Sequence, residues 1–159
     1  MHIRRAKAPD LETVQQIVHE TVRAVYPHYY PAGAVDFFLR HHRTEAIRTD
    51  IREGRVYLCI GAEGETVGTV TVWGKEICRL FVLPQYQGRG YGSALLDFAE
   101  AEIAKEFDEA VLDASMPAKP LYKKRGYQET AFHAIPAGED FLCCDEMRRQ
   151  LRPKKEDGA

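Results

Sequence analysis

The chain has 159 residues, 45% hydrophobic and 29% charged, with a formal net charge of −2. That length suits one domain with a real core, and the composition excludes disordered, collagen-like and fibrous classes. Near-neutral charge argues against a strongly electropositive nucleic-acid binder, the first residues lack the apolar run of a secretory signal, and no segment is long and apolar enough to span a bilayer; the expectation is a cytoplasmic domain with neither nucleic acid nor membrane as partner.

In chain order, HIRRAKAPD reads as a short strand, and Asp10 follows it as a helix N-cap. Leu11, Val14, Ile17, Val18 and Val22 recur at helical spacing, which predicts an amphipathic helix ending before Pro27. YPHYYPAG is a proline-broken aromatic loop. Val35, Phe38, Leu39, Ile47 and Ile51 then place one or two short helices ahead of Gly54.

The period next changes from near 3.6 to 2. RVYLCIGAEGETVGTVTVWGKEICRLFVL is rich in strand formers and interrupted at Gly61 to Gly64 and at Gly74, which predicts three consecutive antiparallel strands. A helix over YGSALLDFAEAEIAKEF, a strand over EAVLDAS, a short helix over AKPLYKKRG and two strands around YQETAFHAI and DFLCCDEMRRQ complete the pattern. The domain is expected over residues 1–151, with 152–159 a charged, frayed tail.

Little in this chain suggests a metal. Cys59, Cys78, Cys143 and Cys144 form no C-x-x-C pair and no zinc-like spacing with histidine, so they read as reduced thiols. His41 and His42, adjacent on a helix, point about 100° apart and do not readily share a metal; they read as surface residues, and His133 as structural.

The most informative stretch is RLFVLPQYQGRGYGSALL, Arg79 to Leu96, where a strand meets a helix across Gly88, Gly90 and Gly92. Unpaired N–H groups and the positive end of the helix dipole gather at a helix start, and glycines let an anion approach them. A Walker loop would need a lysine after the glycines, and none is there. A dinucleotide fingerprint would want a third glycine where Ser93 stands, a tighter turn than Pro84 to Gln87 allows, and a first strand rather than hairpins before it. A plain turn is the remaining alternative.

With Gln85, the run spells Q-x-x-G-x-G and resembles the pyrophosphate-binding motif of the GCN5-related N-acetyltransferases (GNAT). LDASMPAKPLYKKRGYQE, Leu112 to Glu129, resembles that family's later motif, and the order of elements is similar from His2 to about Leu151. The resemblance implies a fold of the α/β class (α+β type): a mixed, largely antiparallel, twisted sheet with splayed parallel central strands and flanking helices. It also implies acetyl-coenzyme A as cosubstrate, no metal, and acetyl transfer to a primary amine of a small molecule or peptide, often in a homodimer.

Carried over residue by residue, the backbone amides of Gln87, Gly88, Arg89, Gly90, Tyr91 and Gly92, with Ser93 beside them, would hold the pyrophosphate, and Leu80, Phe81 and Val82 would pair with the pantetheine arm. The Val82 N–H would stabilise the oxyanion, Tyr122 would protonate the leaving thiolate, and Glu76 would take the amine proton through water. Ser115 would contact the cofactor arm. Lys119, within the basic cluster of Lys123, Lys124 and Arg125, would meet the ribose phosphate. Of Tyr26, His28, Tyr29, Tyr30, Phe37 and Phe38, most would be core, with Tyr30 the first choice for the acceptor wall. Two other readings stay open: a coenzyme A-binding module without turnover, and an enzyme acylated on Cys78 or Cys59.

Overall fold

The alternating apolar residues at the centre of the chain build a seven-stranded sheet, in the order β1-β2-β3-β4-β5-β7-β6. The structure is a computed structural model that describes residues 1–153, so residues 154–159 of the expected tail lie outside the described residues. The strands are β1 (His2–Arg5), β2 (Val56–Ile60), β3 (Thr66–Trp73), β4 (Glu76–Val82), β5 (Glu109–Ala114), β6 (Gln128–Ala137) and β7 (Asp140–Gln150). Helices α1 (Leu11–Val25), α2 (Ala32–His41) and α3 (Thr44–Arg52) precede the second strand, α4 (Tyr91–Ile103) follows β4, and α5 (Lys119–Lys124) follows β5. Among the described residues, no helix is long and apolar enough to cross a membrane.

All neighbouring strands are antiparallel except β4 and β5. That parallel pair touches only at Glu76 with Val111 and Ile77 with Leu112, then separates. On its other side β4 stays paired with β3 through Val82, but the register slips, with Thr71 opposite Arg79 and Val72 opposite Ile77. Cys78 is therefore the extra residue of a β-bulge, a device that re-aims side chains. The expected strands did not show this slip, because a bulge of one residue leaves composition unchanged.

The two sheet faces carry separate cores. One packs Val14, Ile17, Val18, Ile47, Leu58 and Phe81 under α1 to α3; the other packs Val67, Val70, Leu95, Leu96, Ile103 and Met147 under α4. With the bulge between them, Ile77 and Val82 belong to the α4 side, and Phe81 belongs to the α1 side.

Two local expectations change. Asp10 does not cap α1: its carboxylate accepts the Lys7 N–H at 2.8 Å, closing the preceding turn, and binds Arg4 at 2.8 and 2.9 Å. The Arg4 guanidinium holds the Asp10 carboxyl well below its usual range, at about 2. His42 is not on the surface but 5% exposed, because α2 ends at His41 and the next residue turns inward.

Glu100, 8% exposed near the end of α4, joins three elements. It accepts hydrogen bonds from the Tyr127 hydroxyl (3.0 Å), Arg125 (3.0 Å) and Arg149 (2.8 Å), tying the segment after α5 and strand β7 to α4. Removing one partner of a buried ionic cluster leaves the others uncompensated. Glu100→Ala is expected to cost about 3 kcal/mol in urea unfolding, with Glu100→Gln costing less; equal stability of all three proteins would remove the cluster from the account of how α5 is held.

Candidate active site

After β4 the chain passes Leu83 and a single 3-10 turn, Pro84–Tyr86, before the glycines. Gly88 and Gly90 have φ of 73° and 87°, a left-handed backbone that other residues adopt only with strain. A Cβ added at either would meet nothing within 4 Å, so the space above them is open. Gly92 is different: its backbone is helical, and a Cβ there would make ordinary contact with Leu121 (3.7 Å) and Val82 (3.9 Å). The fold does not require glycine at 92. What the missing side chain provides is room.

The loop is tied back to the strand, since the Gln87 side-chain amide donates to the Val82 carbonyl at 2.9 Å. Thr21 donates to the same oxygen at 3.4 Å. The Leu83 N–H, by contrast, donates to Val67 on β3 at 2.9 Å. Because peptide groups alternate along a strand, Val82 and Leu80 turn their N–H groups away from β3, toward the gap left by β5. Gln85, the first residue of the motif, is exposed and makes no side-chain hydrogen bond among the described residues.

A cavity of about 290 Å³ follows from this arrangement, lined by Leu80, Phe81, Val82, Gln87, Gly88, Gly90, Gly92, Ser93 and Ser115 among others. A second cleft, about 440 Å³, runs along the other end of the gap, between α2 and α3 on one side and β6 and β7 on the other. Phe37, Phe38, His41, His42, Glu76, Cys78, Arg79, Asp113 and Tyr122 are part of its wall. The two meet: Tyr26, Leu80, Phe81, Ser115 and Ala118 line both.

Most of the residues expected at the site thus come together, with the side chains of Lys119 and Tyr30 placed elsewhere. Arg89 lies over the Tyr86 ring at 5.6 Å, and Tyr91 meets that ring edge-on, so their side chains brace the loop, while their backbone amides stay between Gly88 and Gly92 at the start of α4. The Lys119 ammonium pairs with Asp145 at 2.6 Å and Glu129 at 2.9 Å and lines neither cavity. Tyr30 is buried in the α1–α2 core, and its hydroxyl accepts the Met116 N–H at 2.7 Å, holding the segment between β5 and α5. The aromatic at the junction is Tyr26, whose phenol burial pushes up to about 12. Its sequence signal is weak, because a tyrosine that opens a proline-broken aromatic loop after a helix looks like ordinary core.

Tyr122 is 5% exposed on α5, and its hydroxyl has no hydrogen-bond partner among the described residues. Burial raises its pKa, so it is a phenol and a proton donor at neutral pH. Glu76 stands at the cleft mouth; burial first, then the negative Asp113 and Glu146, raises its carboxyl above the usual range. Cys78 is pushed up to about 12, chiefly by burial, and Cys59 is raised by the same cause. Both remain thiols, which are poor nucleophiles.

One histidine departs from its expected place on the surface. His42 lines the cleft, whereas His133 is exposed beside Asp113 and Glu146, with the ligand atoms of the three within 4.8 Å of one another. Glu146 there is already bound by Arg148 at 3.0 Å and Thr130 at 3.0 Å.

A family model described as an acetyltransferase (GNAT) domain matches residues 25–142. The peptidyl-lysine N-acetyltransferase YjaB of Escherichia coli (strain K12) is 28% identical over 98 residues, 60% of this chain and 66% of that protein, so the match spans just under two thirds of that relative. Among solved structures, a GCN5-related N-acetyltransferase from Rhodopseudomonas palustris superposes with a TM-score of 0.84 at 22% identity, covering 94% of both chains. The PaiA N-acetyltransferase of Thermoplasma acidophilum, in complex with coenzyme A, gives 0.73 at 21% identity over 94% of this chain and 98% of that one.

The open helix start gives a direct test. Gly92→Leu adds a helix-compatible side chain whose far end enters the glycine-loop cavity. Its melting temperature without ligand should match the parent, while the upward shift produced by coenzyme A disappears; a preserved shift would mean that coenzyme A does not occupy this cavity.

Proposed function

The chain belongs to the acetyltransferase (GNAT) family, and from that premise we propose that it moves the acetyl group of acetyl-coenzyme A directly onto a primary amine of a small molecule or peptide. The observation that carries this reading is the junction of the two cavities at Tyr26, Leu80, Phe81, Ser115 and Ala118. A thioester entering from the glycine loop and an amine entering from the cleft meet there. The PaiA structure with coenzyme A supports the choice of cosubstrate, and the peptidyl-lysine activity of YjaB supports a peptide amine as acceptor.

In this reading the start of α4 and the glycine loop bind the pyrophosphate through backbone N–H groups. The N–H and carbonyl groups that β4 leaves unpaired opposite the gap bind the amides of the arm, since buried backbone groups need partners. Attack by the amine puts negative charge on the acetyl oxygen, which the Val82 N–H stabilises. The C–S bond then breaks, and Tyr122 gives its proton to the departing sulfur. Glu76 receives the proton of the incoming ammonium through water. Ser115, at the end of β5, orients the arm at the junction. The raised thiol pKa values support direct transfer over a route through Cys78 or Cys59.

The same proposal includes a homodimer. β6 is a free sheet edge, exposed along nearly its whole length; Phe132 on it and Phe141 on the adjoining β7 are 65% and 58% exposed. Such an edge is commonly covered.

The activity is tested by incubating the protein with acetyl-coenzyme A and a panel of amines while following free thiol. Release with at least one amine is expected; tight binding without release would favour a coenzyme A-binding module. Tyr122→Phe is expected to lower turnover by roughly 100-fold with cofactor affinity unchanged, and undiminished turnover would exclude the phenol as the acid. A base acts only when ionised, so turnover should fall as pH drops through the raised pKa of Glu76. Glu76→Gln should be slow at every pH and lack that acid limb; an unchanged profile would assign the proton to solvent.

A further inference from the structure

Three side chains in the cleft wall form a buried chain that the transfer mechanism above does not use. Arg79 donates from Nε to His42 Nδ1 at 3.0 Å, and from its terminal nitrogen to Asp50. Arg55 also binds Asp50, at 3.2 Å. Arginine keeps its proton in proteins and can only donate, so His42 Nδ1 must be the accepting nitrogen. The ring is then neutral and carries its hydrogen on Nε2.

The surroundings hold the ring in that state and that place. It stacks on Phe38 at 6.4 Å, meets Phe81 edge-on at 5.7 Å, and its backbone carbonyl accepts from His19 at 2.8 Å. Burial, then the charge of Arg79, pushes its pKa down to about 3, so protonation does not break the arrangement near neutral pH.

The Nε2–H is the ring's remaining polar group, and it has no partner among the described residues. It is not sealed inside protein either: the one unpartnered side-chain polar atom that is fully enclosed among the described residues is Thr71 Oγ1. Since His42 lines the acceptor cleft, this donor faces the cleft. It sits against Phe81, which lines both cavities, and is therefore close to where the amine reacts. Asp50 partly offsets the Arg79 and Arg55 charges that it binds, and the neutral ring adds no charge of its own against an incoming cationic amine.

We propose that His42, fixed by Arg79 and Asp50, is a specificity-determining residue that donates a hydrogen bond to the acceptor, and that the acceptor is a primary amine bearing an accepting oxygen, such as an amide carbonyl, near its reactive nitrogen. This rests on the acetyltransferase reading above. A desolvated donor left unpaired costs free energy, so a site built around it discriminates against substrates that lack the oxygen.

The test measures kcat/KM of the full chain for aminoalkanamides and for alkylamines of matched length, with acetyl-coenzyme A saturating. The wild type is expected to prefer the amides by roughly 10- to 100-fold. In His42→Phe the ratio should fall to near one, and in His42→Gln, whose side-chain N–H can replace the donor, part of it should return. A ratio taken within one preparation does not depend on the fraction folded. A wild-type ratio near one, or a ratio unchanged in His42→Phe, overturns the inference while leaving the activity standing. Acetylation of no amine at all overturns both.

Discussion

Strands β4 and β5 run parallel but pair at only two positions, and the cavities depend on what happens after they part. A strand separated from its neighbour has a row of N–H and carbonyl groups that must find other partners. On β4 some are met from within: Gln87 and Thr21 reach the Val82 carbonyl. The groups left over face a gap whose two ends become the glycine-loop cavity and the cleft. One departure from regular pairing thus creates both the opening and the hydrogen-bonding surface within it.

The bulge at Cys78 works with the splay. A regular strand would carry Arg79 and Ile77 on the same face, whereas here Ile77 packs in the α4 core and Arg79 lies in the cleft wall beside His42. The buried charges then divide between two tasks. Glu100, Arg125 and Arg149 clamp α5 and β7 to α4, which holds Tyr122 over the gap. Asp50, Arg79 and His42 orient a neutral donor into the cleft. In both, each charged group has a partner of opposite sign, without which burial would be costly.

The elements of the fold were largely legible. Apolar spacing located α1 and the change to period 2 located β2 to β4, because burial on one face writes its period into the chain. Gly88 and Gly90 were legible for a second reason: a left-handed turn at a helix start leaves few residue choices. The places of Tyr30, Lys119 and His42 were less legible. Each could be assigned a chemistry but not a direction, and direction depended on contacts with residues far away in sequence: Met116 for Tyr30, Asp145 and Glu129 for Lys119, Arg79 for His42.

By itself, then, the sequence determined the order of the elements, the glycine cradle and the family resemblance, since these are local patterns in which spacing and residue type carry the physical constraint. The tertiary structure alone decided that Tyr26 rather than Tyr30 stands at the junction, that the Lys119 ammonium is ion-paired with Asp145 and Glu129, and that His42 faces the cleft. Those outcomes follow from how far β4 departs from β5, which way the bulge turns Arg79, and which charges meet across the sheet, and no local spacing encodes any of the three.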